Sequence, residues 1–239
     1  MHADLALALS LADAADAIAM ASFGSPSLGV RLKSDRSPVS DADEATERMI
    51  RERLAHERPH DGVAGEEFGT SGAAERRWIV DPIDGTKNYV RGVPVFASLL
   101  ALEERGRVTI GVVSAPALAR RWWAAAGEGA FCNGRAIHVS RVASLDAAFL
   151  SMTTFPRLAR QCARVRDFGD FWAHMLVAEG AIDIAVDLEV AAWDMAAVQL
   201  IVEEAGGRFT DLRGDARYDG GSGVSTNGVL HDAALEHLR

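Results

Sequence analysis

At 239 residues, 49% of them hydrophobic and 25% charged, the chain can bury a substantial core as one large domain or two packed lobes. Its formal net charge of -9 argues against a nucleic-acid backbone as the main partner, because phosphate repels an acidic surface. A phosphorylated small molecule stays open as a partner where bound cations invert the local field. The two cysteines, Cys132 and Cys162, form no CxxC pair and imply reduced thiols, not a disulfide framework.

In chain order, Ala3 to Phe23 is rich in Ala and Leu, but Asp4, Asp13 and Asp16 interrupt it and no positive segment precedes it. It reads as an amphipathic helix ending before Gly24-Ser-Pro26, not as a signal peptide or membrane span, and the expectation is a cytoplasmic protein with no membrane partner. Val30 to Lys33 is a short strand. Ser40, Asp41 and Glu44 supply capping chemistry for a second helix, which carries Met49, Ile50 and Leu54 on one face and stops at Pro59. Strands follow at Val63-Ala64, Arg77 to Ile83, Phe96 to Leu102, Val108 to Ser114 and Arg121 to Ala125. Turn signals at Glu104-Arg-Gly106, Gly127-Glu-Gly129 and Asn133-Gly134 separate or follow them, so the expected arrangement is a meander, not a repeated βαβ unit.

Beyond about Ser144 strands and helices alternate. Strand-like runs lie at Ala148 to Met152, Val165 to Phe168, Ile182 to Val186 and Arg208 to Thr210. Helical segments lie at Pro156 to Cys162, Asp170 to Glu179 and Trp193 to Ala205, the last stopped by Gly206-Gly207, with a final helix from His231. The expected organisation is an N-terminal α+β lobe over 1–143 and a C-terminal α/β lobe over 144–239, packed as one unit.

Chemistry concentrates at Trp78-Ile-Val-Asp81-Pro-Ile-Asp84-Gly-Thr86. Three apolar residues bring a buried strand to an abrupt end in two acids. Pro82 fixes φ and removes a donor, and Gly85 permits a tight turn with close ligand approach. If a turn opens there, the N–H groups of Gly85 and Thr86 face outward as an anion site requires; alternatively, Asp84 merely caps the turn and Asp81 ends the strand. Glu66, in Gly65-Glu-Glu67, and Asp194, in Trp193-Asp194, supply further acids. Were Glu66, Asp81, Asp84 and Asp194 to converge, the cluster would repel itself without hard divalent cations, and an all-oxygen set suits Mg²⁺ better than zinc.

The strings Gly65-Glu66-Glu67, Asp81-Pro-Ile-Asp-Gly-Thr86 and Trp193-Asp194, in this order, resemble the three motifs of the inositol monophosphatase-like family. Val39-Ser-Asp-Ala-Asp43, Gly127-Glu-Gly-Ala-Phe-Cys-Asn-Gly134 and Glu204-Ala-Gly-Gly207 match as well, so the likeness spans nearly the whole chain. It implies a mixed α/β fold, a layered αβαβα sandwich of the inositol monophosphatase/fructose-1,6-bisphosphatase type. It also implies a Mg²⁺-dependent phosphomonoesterase with two to three ions per site, acting on a small phosphate ester, and a homodimer. Glu66, Asp81 and the Ile83 carbonyl are implied as ligands of one ion, and Asp81, Asp84 and Asp194 of a second. The resemblance further implies that the substrate phosphate rests on Gly85 and Thr86, that Asp43 orients the Thr86 hydroxyl, and that a water positioned by Glu66 and Thr86 attacks phosphorus in line. Lys33 is placed near these carboxylates, although a solvated lysine is the simpler reading.

For the leaving alcohol, Arg166-Asp-Phe-Gly-Asp170 resembles the histidinol-phosphatase branch, and Lys87 stands where many inositol phosphatases carry a small hydroxyl residue. The expected reaction is hydrolysis of L-histidinol phosphate to L-histidinol, a step of histidine biosynthesis, with inositol 1-phosphate, a sugar bisphosphate or a 3′-phosphoadenosine nucleotide as alternatives. A carboxylate at Asp170 can pair with the histidinol ammonium, a contact worth roughly 1.5–3 kcal/mol; as the first residue before a helix it can also serve as N-cap. Asp187 occupies the place of a substrate-contacting acid in both branches, with Glu189 as a neighbour able to substitute. His174, on the helix after Asp170, can approach the site, though a packed or surface histidine is the default reading, and Trp122-Trp123 and Phe171-Trp172 read as core or interface aromatics. A non-catalytic metal-binding regulator would show a broken ligand set, whereas every expected ligand is present.

Overall fold

Helix α1 (Ala3–Ser22) forms where the Ala/Leu periodicity places it. In the computed structural model, which describes residues 3–72, 75–152 and 154–238, it belongs to the first of two compact units divided between Arg121 and Trp122. By length and composition α1 is apolar enough to cross a membrane, yet Leu5, Leu7, Ala8, Leu11, Ala12, Ala15 and Ala19 are buried within the unit. The acids that interrupt it are all paired. Asp4 meets Arg58 at 2.8 Å and Arg76 at 2.9 Å, while Asp13 and Asp16 each meet Arg121 at 2.7 Å.

The rest of the first unit comprises β1 (Val30–Leu32), β2 (Pro38–Ser40), α2 (Asp41–Glu57), β3 (Gly62–Gly65), β4 (Gly69–Ser71), β5 (Arg76–Asp84), α3 (Thr86–Tyr89), β6 (Ala97–Glu104) and β7 (Arg107–Ala115). β1 and β2 form an antiparallel hairpin that leads directly into α2. Ser40 caps that helix, its Oγ accepting from Ala42 N at 3.2 Å, and Asp43 at the third helical position accepts from Ser40 N at 2.9 Å. The larger strands of this unit lie in the order β7-β6-β5-β3-β4. β5, β6 and β7 are the antiparallel meander expected, but β3 runs parallel to β5, pairing Gly62 with Arg77 through Gly65 with Val80. The short edge strand β4 turns the chain back after β3, so the next long strand re-enters in the original direction.

The second unit contains β8 (Arg120–Ala125, within which the division falls), β9 (Ala130–Cys132), β10 (Arg135–Ile137), β11 (Phe149–Ser151), α4 (Pro156–Ala159), β12 (Arg164–Val165), α5 (Asp170–Ala178), β13 (Ile184–Asp187), α6 (Ala192–Glu204), β14 (Arg208–Thr210), β15 (Gly223–Thr226) and α7 (His231–Leu238). Antiparallel hairpins join β8 to β9 and β9 to β10, and this ribbon clusters with the residues after it, so a 143/144 lobe boundary falls inside the unit. Its five-stranded sheet has the order β12-β11-β13-β15-β14, parallel on the β12-β11-β13 side and antiparallel around β15. The fold is thus mixed α/β with mixed sheets. Trp122 and Phe171 are fully buried in the core, while Trp123 stacks on Phe131 with centroids 5.9 Å apart. Both cysteines are free.

Candidate active site

On a regular strand, Asp81 and Asp84 would project to opposite faces, since they are an odd number of residues apart. Here the pairing of β5 with β6 runs in register to Asp81 opposite Leu99 and resumes at Asp84 opposite Ala97, three residues against two. This one-residue bulge at Pro82-Ile83 restores the parity, and an oxygen of each carboxylate lies within 4.8 Å of the other. Pro82 has no N–H to lose from the ladder, and its carbonyl accepts from the buried Ser98 hydroxyl at 2.7 Å. The Ile83 amide donates to Asp81 Oδ1 at 3.0 Å, which fixes a side chain only 2% exposed. Gly85 then takes φ 81°, a left-handed turn that starts α3, and the N–H groups of Asn88 and Tyr89 close it on the Gly85 carbonyl.

Thr86 is the first residue of α3. Its hydroxyl is 3.1 Å from Asp43 Oδ1 and 2.9 Å from the Ile83 carbonyl, so one hydrogen serves either acceptor. Asp43 is fully buried, and burial raises its carboxyl above the ordinary range against the hydrogen bonds from Ser40 and Thr86. The acid that completes the capping box of α2 is therefore also the partner of Thr86. Lys87 on α3 is exposed.

Glu66 follows β3, with its amide donating to the Val80 carbonyl of β5 at 3.2 Å. Lys33 Nζ lies 2.7 Å from Glu66 Oε1 and 2.7 Å from Glu67 Oε1, so it is a paired, part-buried lysine and not a solvated one. Burial pushes the Glu67 carboxyl up to about 7, with the Lys33 hydrogen bond opposing and the Glu66 charge adding. Sequence reasoning missed Glu47, a fully buried carboxylate that holds this loop. It accepts from the amides of Glu67 at 2.7 Å and Phe68 at 3.2 Å and from Arg51 Nε at 2.7 Å. A Cβ on Gly65 would stand 2.1 Å from Glu47 Oε1, which explains the glycine before the two glutamates. Glu47 lies four residues from both Asp43 and Arg51, one helix face that the periodicity of α2 does display.

In the second unit, Asp194 is the third residue of α6 and accepts from Ala191 N at 2.8 Å. Asp187 ends β13, 28% exposed at the side chain, and its Oδ2 lies 2.9 Å from His174 Nε2. His174 is fully buried, as a packed histidine should be, but it is bonded on both ring nitrogens, with Nδ1 2.7 Å from Ser225 Oγ. Asp170 is half-buried and opens α5 one residue inside the cap, which is Gly169, so it is not the N-cap. Its φ of 47° is a left-handed conformation that Asp tolerates better than most side chains. Arg166 stacks over Phe168 at 5.2 Å, and Glu189 is exposed. The Gly127-Glu-Gly129 and Glu204 motifs answer one another, Glu204 accepting from the amides of Gly127 and Gly129 at 2.8 Å each.

A strand end that apposes two carboxylates beside a left-handed glycine turn fits a metal-dependent phosphoester hydrolase. The donors offered by Asp81, Asp84, Glu66 and the Ile83 carbonyl are all hard oxygens. Oxygens of Asp81 and Asp84 lie within 4.8 Å of one another, so these two acids fit a hard divalent cation, while Glu66 and Glu67 are held by the Lys33 ammonium. The inositol monophosphatase family model matches residues 2–239. A histidinol-phosphatase of Mycobacterium tuberculosis is 52% identical over 99% of this chain and 98% of its own length. One of Streptomyces coelicolor is 48% identical over 98% of this chain and 96% of its own. The solved inositol monophosphatase of Thermotoga maritima superposes with a TM-score of 0.91 at 32% identity, covering 99% of this chain and 97% of that one. The chain belongs to the inositol monophosphatase family, whose members are metal-dependent, and has the fold of its solved members. It is a phosphatase.

Proposed function

We propose that this phosphatase is Mg²⁺-dependent and hydrolyses L-histidinol phosphate to L-histidinol and phosphate, a step of histidine biosynthesis in the cytoplasm. The observation that carries the reading is the near full-length likeness to two histidinol-phosphatases at 52% and 48% identity. Asp170 gives it a physical ground, since a carboxylate at the head of α5 suits the ammonium of histidinol.

In this reading Glu66, Asp81, Asp84, Asp194 and the Ile83 carbonyl would hold two or three Mg²⁺ ions. Bound Mg²⁺ supplies charge neutralisation of the phosphate and a lowered pKa for water. The chain's own residues do the aiming. The Gly85 and Thr86 amides receive phosphate oxygens. The Thr86 hydroxyl, within reach of Asp43 at 3.1 Å, would donate to that carboxylate and keep its oxygen free to orient the attacking water with Glu66. Lys87, Asp170 and Asp187 meet the leaving alcohol. A homodimer belongs to the same reading, on family resemblance alone, and light scattering tests it.

The test is a panel of histidinol phosphate, inositol 1-phosphate, fructose 1,6-bisphosphate and a 3′-phosphoadenosine nucleotide with the purified enzyme and Mg²⁺. Histidinol phosphate should give the highest kcat/KM. A preference for inositol 1-phosphate would overturn the substrate assignment, though not the chemistry.

A further inference from the structure

We infer that His174 is a positioning residue for substrate selection, one that locks the Asp187 carboxylate in a single orientation toward the leaving alcohol. The inference rests on the reading above, in which Asp187 contacts substrate.

Three groups form a line from core to solvent. Ser225 lies fully buried on β15, directly opposite Ala185 of the neighbouring β13. His174 lies fully buried on α5, its Nδ1 2.7 Å from Ser225 Oγ and its ring 6.4 Å from that of Phe209. Asp187 ends β13 with its side chain 28% exposed, its Oδ2 2.9 Å from His174 Nε2. Of the three, only the carboxylate reaches solvent.

The core itself does not call for an imidazole. The buried neighbours of His174 on α5 are Phe171, Ala173, Met175, Val177 and Ala178, among which a leucine would bury more cheaply than a ring with two polar atoms. What the histidine adds is direction. With both nitrogens held, the ring has one orientation, and the carboxylate it bonds loses its alternative rotamers before substrate arrives. Asp170 and His174 lie four residues apart on α5, one turn along the same face. One helix therefore presents one candidate leaving-group acid directly and steers the other.

His174→Leu removes the donor at similar volume, and His174→Gln retains an amide donor near the place of Nε2. KM and kcat are measured with Mg²⁺ for histidinol phosphate and for p-nitrophenyl phosphate, which has no amine or hydroxyl for Asp187 to meet. We expect His174→Leu to raise KM for histidinol phosphate about tenfold, the loss of one charge-assisted contact, with a much smaller change for p-nitrophenyl phosphate. His174→Gln should recover most of that loss, and Ser225→Ala should raise KM about twofold to threefold. Equal losses on both substrates, or an unchanged KM in His174→Leu, overturn the inference. Should His174→Leu not fold, the Gln and Ser225 variants decide on the same criterion. A wild-type enzyme that prefers another ester defeats the substrate assignment alone; the comparison is then made on the preferred ester, where the same selective rise in KM upholds the role of His174 and its absence refutes it.

Discussion

In the first unit, Asp81 and Asp84 are held by the chain that carries them. A bulge of one residue turns both to the same face, the Ile83 amide ties down Asp81, and Gly85 reverses the backbone immediately after. In the second unit, Asp187 gains its orientation from a histidine on another element, itself braced by a serine on a third. The first arrangement is compact in sequence and tolerates little change. The second is assembled from parts distant in the chain. In the function proposed above the first arrangement serves the chemistry and the second the choice of substrate, and the predictions are ways to separate them.

The largest effect is expected at the bulge. Asp84→Asn should lower kcat by about a thousandfold or more, because several kcal/mol of charge stabilisation is lost at about 1.4 kcal/mol per tenfold. Circular dichroism should remain that of the wild type; unchanged phosphate release would break the metal assignment. Asp170→Ser should act on selectivity instead. The kcat/KM ratio of histidinol phosphate over inositol 1-phosphate should drop by about tenfold to a hundredfold, with turnover of p-nitrophenyl phosphate far less affected.

A third variant probes the scaffold of the first unit. Gly65→Ala puts a Cβ 2.1 Å from Glu47 Oε1, and overpacking of this kind costs about 1–3 kcal/mol. A lower urea midpoint should accompany weaker Mg²⁺ binding by calorimetry, since the same clash displaces the Glu66 loop. If stability falls and Mg²⁺ affinity does not, Glu47 and Gly65 serve the fold alone.

The smallest effect is expected from His231, a buried histidine of the second unit between Thr210 at 2.9 Å and Thr226 at 3.0 Å. Burial pushes its pKa from 6.5 down to about 4, with the charge of Arg208 adding. The unfolded chain takes up the proton first. The contribution of the neutral ring is therefore complete above about 6.5 and is lost as pH falls toward 4. Urea midpoints between pH 7.5 and 4.5 should decline more steeply for the wild type than for His231→Gln; equal slopes would remove His231 from the pH dependence.

Much of the frame was legible because its signals are local. Ser40 with the acids after it announces the start of α2, although Asp43 closes the cap and not the Asp41 and Glu44 expected; the Ala/Leu period marks α1, and Gly206-Gly207 closes α6. The short strands β2, β4, β9, β10 and β15 were not legible, since three or four residues acquire strand geometry only from a partner. The parallel pairing of β3 with β5 was hidden for the same reason: a meander and a crossover share the same strand propensities. At the site, Glu66, Asp81, Asp84, Thr86 and Asp43 stood out as residue types in motifs. Glu47 looked like one more acid on a polar helix, and His174 like one more packed histidine.

The sequence by itself determined which groups are present and how the chain bends at Asp81 to Thr86, because a proline, a glycine and the apolar run before them act within a few residues. It determined that the acids in its motifs offer oxygen donors alone, which suit a hard cation. Only the tertiary structure decided that Asp81 and Asp84 share a face, since the deciding register belongs to β6. Only it decided where Asp187 points, because His174 and Ser225 lie 51 residues apart in the chain and meet through the packing of α5 against the sheet.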